Sequence, residues 1–210
     1  MRAAAAQYSG SLEANGALMR IVPMAIWLAG KSSELVARAA KEDALLSHPN
    51  VVCQECNAVY LLTIAHPITN PVDRNGAFHV AEQHARSHMH TIAKDWLLKE
   101  SIDASHLACT FMVGHVPYAF TLAFYFLRQA AFKDAISLTL QKGGDIDTNA
   151  AIVGGLLGAL HGAENIPAFM KDPFLLFDCT SCDQKARTGH ARPFAYSTRQ
   201  TEKLLDGLLN

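Results

Sequence analysis

The stretch that decides the fold is Gly143-Gly144-Asp145-Ile146-Asp147-Thr148-Asn149-Ala150-Ala151, continued by Ile152-Val153-Gly154-Gly155-Leu156-Leu157-Gly158-Ala159-Leu160-His161-Gly162. The paired glycines break one helix, and the apolar run from Asn149 to His161 predicts another. That helix is rich in small residues, at Ala150, Ala151, Gly154, Gly155, Gly158 and Ala159. A glycine inside a helix costs about 1 kcal/mol relative to alanine. Several together need a packing reason, and close approach of neighbouring backbones around a central helix supplies one. Helical periodicity dominates elsewhere, and no strand-type alternation is sustained, so the fold class is all-α.

The same stretch carries the chemistry. In an extended loop residues i and i+2 point the same way, so Asp145 and Asp147 converge on one cation, with the Thr148 hydroxyl beside them. Hard oxygen ligands suit Mg²⁺, Mn²⁺ or Ca²⁺ and not zinc. Free amides at the start of the helix, and its dipole, favour a phosphate nearby. A plainer alternative is that Asp147 or Thr148 is only a helix N-cap. An EF-hand fits Asp145-x-Asp147-x-Asn149 but fails at Ala150, where glycine is required, and at Leu156, where glutamate is required.

Outward from this loop, Ala17 to Leu28 is apolar almost all round and predicts a buried helix. Ser33 caps a second helix through Leu46, and Pro49 opens a third to about Ala65. His66 to Gly76 carries three turn signals and predicts a loop. A polar helix follows over about 77–100, and two more fill 104–142, one deeply buried and one ending near Lys142. From Pro167 to Ser197 the pattern is loop-like, and Thr198 to Leu209 predicts a closing helix.

Composition removes several functions. Hydrophobic residues are 50% and charged residues 18% of the 210, enough for a sizeable core in a single domain over 1–210. Lys and Arg total 18 against 19 Asp and Glu, which gives no electrostatic case for nucleic acid or an anionic membrane. The most apolar stretch, Phe111 to Leu127, contains His115, Pro117 and Tyr118 and reads as a buried helix rather than a span. The start lacks a long apolar run, and five cysteines, an odd number, point to reduced thiols and a cytoplasmic setting.

Three ordered segments together resemble the ADP-ribosylglycohydrolase family. The loop run GGDIDTNAAIVGGLLGALHG is similar to that family's C-terminal metal motif. Asn15-Gly16-Ala17-Leu18-Met19-Arg20-Ile21-Val22-Pro23 is similar to its NG-x-x-MR-x-x-P segment. Ser47-His48-Pro49 with Asn57-Ala58-x-Tyr60 is similar to its histidine-containing substrate-side segment, and Gly114 to Leu127 fits the helix leading to the metal loop. The resemblance covers about residues 9–167, with 168–210 a loop-rich tail.

The resemblance implies an all-α orthogonal bundle with a binuclear magnesium site that hydrolyses the bond between ADP-ribose and an acceptor. It implies metal-ligating and catalytic roles for Asp145 and Asp147, with Thr148 a third metal ligand. Asn15, Gly16 and Met19 would lie along the ADP-ribose cleft, and His48 would contact the ligand. The implied cofactor is Mg²⁺, or Mn²⁺, and the implied partner is an ADP-ribosylated protein or small conjugate. Ile146 stands where the family usually has threonine, a mild change on a side chain pointing away from the two aspartates. The family's N-terminal Thr-Asp-Asp motif occurs nowhere in the 210 residues. The expectation is therefore an N-terminally truncated bundle with half the metal site, weakened hydrolysis, and a face open to self-association. The alternative is a non-catalytic ADP-ribose-binding or structural relative.

Other signals are weaker. Cys53-x-x-Cys56 and Cys179-x-x-Cys182 invite a shared zinc, but their separation exceeds that of compact zinc modules, so buried thiols are favoured, with a redox-sensitive Cys179–Cys182 pair a further reading. His79, His84, His88 and His90 crowd one helix without an HExxH arrangement, and a solvated face accounts for them. Glu13 and Glu55 are the carboxylates nearest the cleft segments, and nothing in the pattern makes either a general base.

Overall fold

The computed structural model describes residues 1–180 and 191–209. Among them are twelve α-helices and no β-strand: α1 (Arg2–Ser9), α2 (Gly16–Arg20), α3 (Val22–Trp27), α4 (Ser33–Ala44), α5 (Val51–Thr69), α6 (Arg74–His88), α7 (Ala93–Leu98), α8 (Val116–Gln129), α9 (Phe132–Gln141), α10 (Ile146–His161), α11 (Ala168–Leu175) and α12 (Thr201–Leu209). The all-α expectation is met. The helices fall into two compact units, Met1–Asn165 and Ile166–Asn210.

In the first unit α5 and α10 are the central elements. Residues Val52 to Ala65 of α5 are all buried except Gln54, because α4, α6, α10 and α3 pack around it. Two of its buried polar side chains bond back to the same helix, Asn57 Nδ2 donating to Cys53 O at 2.8 Å and Thr63 Oγ1 to Val59 O at 2.7 Å, while Asn57 Oδ1 has no partner among the described residues. The α10 helix packs on α8, α9, α5 and α2. A Cβ on Gly155 would sit 2.7 Å from Val22 Cγ2 and 2.8 Å from the Tyr60 hydroxyl. Gly155 thus has the packing reason that small residues on α10 demanded. The Tyr60 hydroxyl uses the space, donating to Ile152 O at 2.7 Å inside the core.

Helix ends differ from expectation where polar side chains decide them. The Ala17–Leu28 segment is two short helices, broken at Ile21 with Pro23 in the first turn of the second. The α4 cap is Ser32, one residue before Ser33, and its Oγ accepts from Leu35 N. The α5 cap is Asn50, whose Oδ1 accepts from Val52 N at 2.9 Å, so Pro49 lies outside the helix. That helix runs on through Pro67 to Thr69, where Asn70 N and Nδ2 both donate to His66 O and close it. The predicted loop after His66 shrinks accordingly. The polar helix divides into α6 and α7. Phe111–Leu127 is not one helix: α8 starts at Val116 with Pro117 in its first turn. No helix among the described residues is long and apolar enough to cross a membrane.

In the second unit α11 replaces part of the predicted loop and carries Pro173 within it. The Thr198 Oγ1 hydroxyl donates to Phe174 O at 2.5 Å, and Arg199 Nη2 to Leu176 O at 3.1 Å, fastening the segment before α12 to the end of α11.

Candidate functional site

The α9 helix ends at Gln141, and Gly143 and Gly144 follow with φ of +74° and +71°. Only glycine adopts this left-handed conformation without strain. At Gly144 the neighbour is backbone, since a Cβ there would fall 1.9 Å from Cys109 O. The turn delivers Asp145 as the N-cap of α10. The helix therefore starts at Ile146, three residues earlier than expected, and Asp147 and Thr148 lie in its first turn instead of an extended loop. The three side chains converge by helical geometry, with Thr148 and Asp147 close enough to the Asp145 carboxyl to affect its ionisation. Asp147 and Ile146 are exposed, and Asp145 is half-buried.

The segment carrying Asn15 meets this loop. Asn15, 5% exposed, donates from Nδ2 to Asp145 Oδ2 at 2.9 Å and to Asn149 Oδ1 at 3.3 Å. It is held there by a short antiparallel bridge, with Asn15 N donating to Gly114 O and Val116 N to Glu13 O, both at 2.9 Å. Burial alone would raise the Asp145 pKa. The hydrogen bonds from Asn15 and Thr148, with Asp147, outweigh it and hold the carboxyl below its ordinary range.

Gly16 and His48 form the next contact. A Cβ on Gly16 would lie 2.8 Å from His48 Cε1 and 3.0 Å from Nε2, so the imidazole lies directly over this glycine. Arg20 anchors that ring's segment, donating to Ser47 Oγ at 2.6 Å, Asp43 O at 3.0 Å and Asp43 Oδ2 at 2.9 Å. The Ser47 hydroxyl, which accepts from Arg20, also shares a hydrogen bond with His48 Nδ1 at 2.8 Å. Burial first, then the Arg20 charge, lower the His48 pKa against the opposing pull of Asp43. The Cε1–Nε2 edge of the ring lies on the Gly16 side. Met19, 48% exposed, presents an apolar side chain next to Arg20 on α2.

Other residues of interest sort by their partners. Glu55 is buried and accepts from His90 N at 2.9 Å, Thr91 N at 3.1 Å and Thr91 Oγ1 at 2.5 Å, so it fastens the turn before α7. Glu13 Oε2 lies 3.1 Å from His115 Nε2, next to the Asn15 bridge. That pairing joins residues 102 apart, and no local spacing announces it. His84 and His88 stack with centroids 4.5 Å apart; burial, then His88, push the His84 pKa down to about 4, so the ring is more enclosed than a solvated face.

Whether the loop fits a metal turns on its donor set. Two carboxyl groups this close repel when both are ionised, and a divalent cation between them removes the repulsion. Asp145, Asp147 and the Thr148 hydroxyl are hard oxygen donors that fit one magnesium ion completing its shell with water. No group of three or more His, Cys, Asp or Glu among the described residues could hold a metal. Cys53, Cys56 and Cys109 are buried free thiols, and Cys182 lies outside the described residues. Burial raises the Cys53 pKa to about 11, and its Sγ contacts Ala14 O at 3.5 Å. Protein purified without chelator is expected to contain well under one zinc per chain by elemental analysis; stoichiometric zinc lost on Cys179→Ser would contradict this.

No curated protein matches the chain. The description of one protein family, ADP-ribosylglycohydrolase, matches residues 1–187, which includes the Asn15, His48 and Asp145–Thr148 segments. The chain belongs to the ADP-ribosylglycohydrolase family.

Proposed function

We propose that this chain hydrolyses the glycosidic bond between ADP-ribose and a protein or small-molecule acceptor, using Mg²⁺, or Mn²⁺, held by Asp145, Asp147 and Thr148. The observation that carries this reading is the 2.9 Å bond from Asn15 Nδ2 to Asp145 Oδ2, which joins two family segments 130 residues apart into one site. When bound, the metal supplies charge stabilisation and an oriented water. The chain's own residues do the rest. Asn15 fixes the Asp145 carboxyl and favours its ionised form. His48 meets the ligand through its Nε2 edge over the bare Gly16 backbone, and Met19 offers an apolar contact to the same ligand. The free amides in the first turn of α10 favour an anionic group.

A non-catalytic ADP-ribose-binding role is the second reading. It is favoured by the count of carboxylates, since Asp145 and Asp147 are two where a closed metal cage needs more. Calorimetry with Mg²⁺ is expected to show weak binding that Asp147→Ala reduces about a hundredfold or more, a loss at least as large as those seen for supporting residues of metal sites. Equal binding by the variant would reject this loop as the site. Hydrolysis is read as ADP-ribose release from arginine-, serine- and O-acetyl-linked substrates. Release in Mg²⁺ that Asp147→Ala and chelator both remove supports the first reading. ADP-ribose binding without release, by this chain and by a version extended with a Thr-Asp-Asp segment, supports the second.

A further inference from the structure

A cavity of about 220 Å³ opens between α7, the 100–107 segment and the first turn of α8, and no residue of the 143–149 loop lines it. Trp96, Tyr118 and Leu107 give it apolar walls, and Asp95, Glu100 and Asp103 give it carboxylates. No lysine or arginine is among its lining residues. The basic groups near it are Lys99, which pairs with Asp95 at 3.1 Å, Lys142, which donates to Ser105 O, and His106, a lining residue beside Asp103, so Glu100 is the rim carboxylate that carries no ion pair among the described residues. Asp103 accepts from Ser105 N at 3.0 Å and Oγ at 2.6 Å. The two aromatic rings are braced from behind, each meeting the His115 ring edge-on, at 6.4 Å for Trp96 and 5.8 Å for Tyr118.

We propose that this cavity binds a compact organic cation of the alkylammonium class. Ligand pockets for drug-sized molecules run about 300–1,000 Å³, so a nucleotide is too large for it and a head group is not. Aromatic walls with a carboxylate rim favour a cation that carries its charge under an apolar shell, because the rings attract the charge and the methyl groups bury surface. A hydrated inorganic ion gains nothing from Trp96 and Leu107, and a neutral apolar ligand covers carboxylates without pairing them. The site is separate from the metal loop and stands whether or not the chain hydrolyses ADP-ribose.

The test uses Trp96 as its own reporter. Trp27, the second of the two tryptophans, is 60% exposed, so Trp27→Phe leaves Trp96 as the sole indole without opening the core. Choline is titrated against 3,3-dimethylbutan-1-ol, its neutral carbon isostere. The expected result is a saturable change in Trp96 fluorescence with choline, and binding of the alcohol about tenfold weaker. Glu100→Gln and Tyr118→Leu are each expected to weaken choline about fivefold, the scale of a partly desolvated cation–π or charge contact. Circular dichroism confirms folding; if Tyr118→Leu does not fold, the exposed Glu100→Gln decides alone. No saturable response, equal affinity for choline and the alcohol, or choline affinity unchanged in the folded variants overturns the proposal.

Discussion

Asn15→Asp is expected to destabilise the chain by about 3–5 kcal/mol at neutral pH, the range for an uncompensated buried charge. The side chain is 5% exposed and donates to both Asp145 and Asn149. The substitution keeps the shape and replaces the donor with an acceptor, so a second carboxylate faces Asp145 with nothing between them. Burial and Asp145 both raise the pKa of the introduced carboxyl in the folded state above its unfolded value of about 3.9. The sign follows: the penalty is absent below about pH 4, grows as pH rises through that range, and is complete above the folded pKa. Urea denaturation at several pH values measures it, and Asn15→Ala, which removes the donor without adding charge, is expected to be milder at pH 7. A loss for Asn15→Asp that stayed the same at pH 3.5 and pH 7 would remove charge repulsion as its cause. Mg²⁺ is expected to recover part of the loss by neutralising the crowded carboxylates.

Gly144→Ala is the second large effect. A left-handed residue with a Cβ costs about 1–2 kcal/mol, and φ at this position is +71°. The added carbon would also stand 1.9 Å from Cys109 O, a backbone atom held by Cys109 N donating to Lys142 O at 2.9 Å. It cannot swing aside as a side chain would, and overpacking of this kind adds about 1–3 kcal/mol. The sum, about 2–5 kcal/mol, corresponds to a fall in Tm of roughly 10 °C for a unit of this size. Because the turn aims Asp145, Mg²⁺ affinity is expected to fall with it. Gly207→Ala is the control: nothing lies within 4 Å of its Cβ and it sits in α12, so it is expected to be neutral or slightly stabilising. A thermal melt for Gly144→Ala matching the parent would mean the 105–115 segment yields, against its hydrogen bonding here.

The parts of this molecule visible in its sequence are those where a residue type has one physical use. Paired glycines ended α9, small residues on α10 marked close packing, and apolar periodicity located α4, α5, α8 and α9. Helix starts were less visible, because Ser32, Asn50 and Asp145 compete with equally plausible neighbours for the same cap, and the winner depends on the chain's path into the helix. The Asp145 case mattered most, since an extended loop and a helical first turn both bring Asp145 and Asp147 together for different reasons. The reasons behind Gly16 and Arg20 were invisible: one leaves room for the His48 ring, and the other holds Ser47, which hydrogen-bonds that ring. Glu55 and Glu13 looked alike in sequence and differ wholly in partners, one consumed by the turn before α7 and the other paired with His115.

The bond between Asn15 and Asp145 closes almost the whole first unit on itself, so the candidate site has no independent existence in either half of the chain. A chain cut at the exposed Ser105–His106 step would yield one fragment bearing Asn15, Gly16 and His48 and another bearing Asp145, Asp147 and Thr148. Neither fragment alone holds the paired geometry. Recovery by the mixture of a property that neither piece shows alone would therefore report the two halves meeting at this one bond.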